Sequence, residues 1–276
     1  MSELHSPLRH QTTYRNLKTH FSAICTSPDW ASSFDLLPAD ARSLKETITP
    51  LLVLLNRPEC RLQAAYGLGV AVSRLARVDM EGARVIIRRL MWSLNAESGN
   101  LGWGAPETMG AILAMSPALA GEYAVIFLSY GYEVGREDNF IDFAPLRYGV
   151  YLGVAMLATA SFAAAHSFLP HLAKDKALAA PEAFIRAAAA LVLRQLAVAA
   201  PCVELAGTAR ADWEQALVAV REAAERPEAD IRVEYYEGGS IVSITGETLF
   251  SQAAEAVERL LSRERLGDSE LPQDDA

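Results

Sequence analysis

The chain has 276 residues, 51% of them hydrophobic, 8% aromatic and 21% charged, which is enough apolar mass for one large globular domain or two ordinary ones. Its formal net charge of -9 argues against a surface that grips nucleic acid or anionic lipid all over, because such binding needs net neutralisation of phosphate. Cys25, Cys60 and Cys202 lie far apart with no CxxC and no histidine at ligand spacing, which speaks against a disulfide framework or a zinc site and for a reducing cytoplasm.

The amino terminus, MSELHSPLRHQ, lacks the apolar core of a secretory signal, and residues 1–37 are expected to form an N-terminal helical segment. A helical array is then expected over 38–228, in which helix-like pattern and breaker alternate with a period of roughly forty residues, the mark of stacked helix pairs. Its first helix is predicted from Pro38 to Leu55, with Pro50 marking a kink or an early end. Pro58 opens the next helix, to about residue 76, and Asp79 caps another that runs to Leu94. In that last helix Ala83, Ile86, Ile87, Leu90 and Leu94 form one stripe, while Arg84, Arg88, Trp92 and Asn95 fall on another.

After a glycine-rich loop a helix restarts at Ala105-Pro106-Glu107, with a partner from about Ala118 to Tyr132. A third pair starts near Ala144 and returns through AAHSFLPHLAK, and a further helix begins at Pro181. Residues 148–165 carry no charge, the length at which a membrane span has to be weighed, but the small residues with Thr159, Ser161 and His166 favour a helix buried among helices. ADWEQALVAVREAAE reads as helix. Residues 229–264 then change character: IRVEYYEGGSIVSIT predicts a hairpin about Glu237-Gly238-Gly239, and Thr245 opens a last helix. The acidic tail, 265–276, is expected to be disordered.

Helix pairs of this kind together with WSLNAESGNLGWGAPETMG resemble a group of bacterial HEAT-like-repeat proteins, often met in sulfate-reducing bacteria, whose function is unassigned. In that group a Trp, an Asn or Asp, a Glu and a Gly precede a GWGAPE stretch; the matching positions here are Trp92, Asn95, Glu97, Gly99 and Gly102 to Glu107. The hairpin leading into GETLFSQAAEA also looks like the terminal element of that group. The resemblance implies an all-α fold, a HEAT-like α-solenoid forming a right-handed superhelix of helix pairs, with a small C-terminal β-hairpin plus helix. It implies no reaction and no cofactor.

A solenoid presents inter-helix loops along one side and so usually binds extended partners. Trp92, Asn95, Glu97, Trp103, Gly104 and Glu107 are therefore candidate binding residues: the tryptophans as an aromatic wall, the carboxylates as acceptors, the glycine as a point of close backbone approach. Glu133, Asp138, Asn139 and Arg147 are candidate neighbours if equivalent loops stack. Packing explains the same residues in another way, since tryptophans plug gaps between repeats and Glu107 complements a helix dipole. The acidic run with Glu133, Glu137, Asp138 and Asp142 lacks calcium-loop spacing, so no metal is expected.

These residues together point to a protein-interaction or scaffold module with a protein partner, in the cytoplasm and off the membrane. The alternative is a nucleic-acid-binding enzyme like the HEAT-like DNA glycosylases, drawn from the excess of Arg57, Arg61, Arg74, Arg77, Arg84, Arg88 and Arg89 over Glu59, Asp79 and Glu81. No nucleophile elbow or phosphate-binding glycine loop is present, so hydrolase and nucleotide chemistry have no sequence support.

Overall fold

A computed structural model of the chain describes residues 14–95, 102–133, 139–174, 177–201, 208–226 and 231–267. Most of these residues are helical, with one two-stranded sheet near the C-terminus. The chain divides into two units: residues 1–127 with 235–241, and residues 128–234 with 242–276.

In the first unit α1 (Tyr14–Cys25) and α2 (Trp30–Asp35) lie against α3 (Ala41–Leu54) and α4 (Arg61–Val78), and α5 (Met80–Leu94) runs beside α4 and α6 (Ala105–Met115). The strongest packing joins helices that are not consecutive: α4 lies on α6. In the second unit the same rule holds, with α8 (Ala144–Ala160) on α11 (Ala183–Ala199) and α11 on α13 (Gly246–Gly267). α10 (Leu169–Lys174) and α12 (Thr208–Ala224) pack on each other, and α12 on α13. α6, α8 and α11 begin at Ala105, Ala144 and Ala183, 39 residues apart each time.

Composition separates two kinds of helix. α6 buries every residue from Ala105 to Leu113, and α11 every residue from Ile185 to Leu193, because apolar and small side chains stand on all sides. α5 buries only Ala83, Ile87 and Leu90. Ile86 and Leu94, expected on the same stripe, are half-buried. Among the described residues no helix is long and apolar enough to cross a membrane, α8 included.

Local signals set most boundaries. Asp79 caps α5 by accepting from the Gly82 N–H at 2.9 Å, and Asp40 caps α3 through Ser43. Pro50 does not end α3, which continues to Leu54. α7 (Pro117–Ser129) stops earlier than predicted, and at Gly131 the chain passes so close to Phe168 that a Cβ there would sit 2.6 Å from its ring. The segment returning from α8 is broken into α9 (Phe162–Ala165), a 3-10 turn and α10, with Ser161 accepting from the Ala164 N–H at the break. α11 begins two residues after Pro181, whose carbonyl is held by Arg186 Nη1 at 3.0 Å.

The hairpin pairs β1 (Arg232–Glu237) with β2 (Ser240–Thr245) about Gly238 and Gly239, whose φ values of 60° and 87° give the turn its twist. Thr245 ends β2, and its hydroxyl accepts from the Thr248 N–H, capping α13. Tyr236, at the hairpin tip, packs in the first unit against Tyr66 and Trp30, with ring centroids 4.6 and 5.9 Å away. The tail beyond Gly267 lies outside the described residues.

Candidate functional site

α5 carries the first candidate, Trp92, in its last turn. The residue is 61% exposed, the counterpart of its position off the stripe of Ala83, Ile87 and Leu90. Val85, 49% exposed, lies two turns earlier, so an apolar pair with Arg88 and Arg89 between them faces away from the core. Asn95, also exposed, ends the helix, its N–H donating to Trp92 O at 3.2 Å. Glu97 lies outside the described residues.

The chain returns at Gly102, where a Cβ would lie 2.6 Å from Ser93 O; the loop passes against the end of α5 at backbone distance. Gly104 adopts a φ of 73°, and a Cβ there would meet Leu55 Cβ at 2.9 Å and Arg61 Cγ at 3.1 Å. The Arg61 guanidinium lies 4.9 Å from the Trp103 ring centroid, and its Nε donates to Leu55 O at 3.1 Å. Trp103 is half-buried.

Glu107, in the first turn of α6, is only 6% exposed, and its Oε2 has no hydrogen-bond partner among the described residues. Burial pushes its carboxyl above the usual carboxylate range, with its own backbone N–H and the Arg61 charge opposing. Trp103, Gly104 and Glu107 thus lie around Arg61, one of the seven arginines between positions 57 and 89. Nothing next to Arg61 marks it out from the other six, because its partners Leu55 and Trp103 come from other parts of the chain.

The arginine-rich stretch is largely engaged. Arg84 forks onto Glu122 with bonds of 2.8 and 2.7 Å, and Arg88 bonds Glu81. The guanidiniums hold both carboxyls below their usual range. Arg74 donates to Leu37 O and to Asp35 O, and Arg57 to Ser22 Oγ.

The remaining candidates belong to the second unit. Glu133 is exposed, and Asn139 donates from Nδ2 to Ser129 Oγ at 3.0 Å. Arg147 Nη1 donates to Ile141 O and Asp142 O at 3.0 and 2.9 Å; Nη2 lies 3.8 Å from Glu182 Oε2, and the guanidinium stands over Phe140. Arg147 therefore ties the loop before α8 to that helix, as Arg186 ties the loop before α11 through Ala180 O and Pro181 O. Asp138 and Glu137 lie outside the described residues. Among the described residues no group of three or more His, Cys, Asp or Glu side chains could hold a metal ion.

No family model and no curated protein matches the chain. One solved structure that is similar, described as the crystal structure of an engineered protein, is 14% identical over 97% of this chain and 98% of that one, with a TM-score of 0.47. That likeness is too loose to carry an argument about fold or function.

Proposed function

We propose that the chain is a cytoplasmic protein-interaction or scaffold module, built as a HEAT-like α-solenoid with a hairpin-plus-helix cap, that recognises a protein partner beside the Trp92–Glu107 segment. The observation that carries this reading is Trp92: a tryptophan left 61% exposed at a helix end, with Val85 on the same face and Asn95 beside it. Tryptophan and arginine dominate protein-binding hot spots, and Arg88 and Arg89 lie between the two apolar residues. The solenoid is supported within each unit by packing between alternate helices, and along the chain by the 39-residue spacing of α6, α8 and α11.

Within the motif, Trp92 and Asn95 supply contact, while Trp103, Gly104 and Glu107 brace the loop on Arg61. The enzyme alternative has less support. Glu107 is too buried to meet a base, and Arg84 and Arg88 are matched by Glu122 and Glu81. The test is affinity capture with wild-type and Trp92→Ala chains, run beside DNA binding at low salt. Loss of captured proteins supports the scaffold; tight DNA binding that falls steeply with salt supports the enzyme.

A further inference from the structure

α1 has two faces. Leu17, Phe21 and Cys25 are buried, while Arg15, Lys18, Thr19, Ser22 and Thr26 follow one another at helical spacing along the other side. That second face lines an open cleft of about 530 Å³, which Arg57 from the turn after α3 also lines. Arg57 Nη1 donates to Ser22 Oγ at 3.0 Å, which fixes its guanidinium at the cleft wall. The Thr19 and Thr26 hydroxyls donate to carbonyls of their own helix, so recognition falls to the three cations.

No carboxylate lines this cleft. Among the described residues none pairs with Arg15, Lys18 or Arg57, although acids outnumber bases 34 to 25 in the chain. Elsewhere Arg42, Lys45, Arg84, Arg88, Lys174 and Arg221 each meet a carboxylate. Three cations that line one cleft without an acid suit an anion, and two guanidinium forks with one ammonium suit phosphate oxygens. The volume exceeds what a single phosphate needs and falls among small-molecule clefts. No aromatic ring lines it, so it offers no platform for stacking the bases of a single strand.

We propose that the cleft binds a small ligand carrying two or more phosphates, held by Arg15, Lys18 and Arg57. The site is separate from Trp92 and does not depend on the scaffold reading. The experiment is calorimetric titration of the full chain with inorganic tripolyphosphate, at low and at physiological salt. The expected result is saturable binding of one equivalent, weakened about tenfold or more in Arg15→Gln/Arg57→Gln and in Lys18→Gln. Arg42→Gln, which removes an exposed charge on α3, leaves it unchanged. Absence of saturable binding at low salt overturns the proposal, as does an equal loss in Arg42→Gln. Tighter binding of a single-stranded oligonucleotide than of tripolyphosphate would overturn it in favour of a nucleic-acid site.

Discussion

Replacing Glu107 by glutamine isolates the buried carboxyl and tests whether its place in the fold is as described. The side chain is 6% exposed and its Oε2 is unpartnered among the described residues, so burial raises the carboxyl in the folded state above its value in the unfolded chain. The folded chain then holds a proton that the unfolded chain releases. Stability from this group is fully present below the unfolded value and is lost as pH rises through the folded one. Between the two values the loss is up to about 1.4 kcal/mol per pH unit. The carboxyls of Asp40, Asp79, Glu81 and Glu122 are lowered instead, so they are ionised in both states above their ordinary range and contribute no slope there. Urea unfolding of wild type and Glu107→Gln from pH 5 upward measures the difference, in which all other groups cancel. The expected difference changes with pH in the variant's favour as pH rises. A difference constant across that range would refute the burial of Glu107.

Further outcomes are expected at three sites. Gly104→Ala forces a β-carbon into a φ of 73° and within 2.9 Å of Leu55, so urea unfolding should show a loss of about 1–3 kcal/mol. Gly67→Ala places its Cβ 2.4 Å from the buried Phe34 ring; the melting temperature should fall although alanine gains about 1 kcal/mol of helix propensity, and Phe34→Leu should restore part of the loss. The Cys25 thiol is pushed up to about 12 by burial and then by Cys60, so native protein at mildly alkaline pH should resist alkylation there until unfolded. The same raised value predicts stability lost as pH climbs from 9.0 towards about 12; Cys25→Ala should lessen that loss, and the raised Cys60, Tyr66 and Tyr130 account for what remains.

The helix starts were legible because each rests on a local signal. Asp79 precedes Gly82 at capping distance, and Pro106 and Pro145 sit in first turns, where a missing N–H costs nothing. What failed depended on distant partners. α7 ends just before Gly131, a local signal in itself, but the ring of Phe168 that leaves no room for a Cβ there comes from 37 residues on in the chain. α2 and its aromatic contacts among Trp30, Phe34, Tyr66 and Tyr236 join residues from both ends of the sequence. In the candidate site the exposure of Trp92 could be read from helical spacing alone. The burial of Glu107 could not, because its place in a first turn is equally common for an exposed carboxylate, and only the packing around α6 decides it.

The role proposed for Trp92 is to be covered by a partner. Its direct test is quantitative affinity capture with wild type and Trp92→Ala, each checked by thermal melting. With Trp92 already 61% exposed, the substitution should cost far less stability than Trp213→Ala, a residue only 1% exposed whose loss should reach about 3–5 kcal/mol. A recognition role predicts that at least one protein held by wild type falls by roughly thirtyfold, the scale of a hot-spot loss of about 2 kcal/mol, while the variant stays folded. The same partners at the same abundance, with only a lowered melting temperature, would contradict the account.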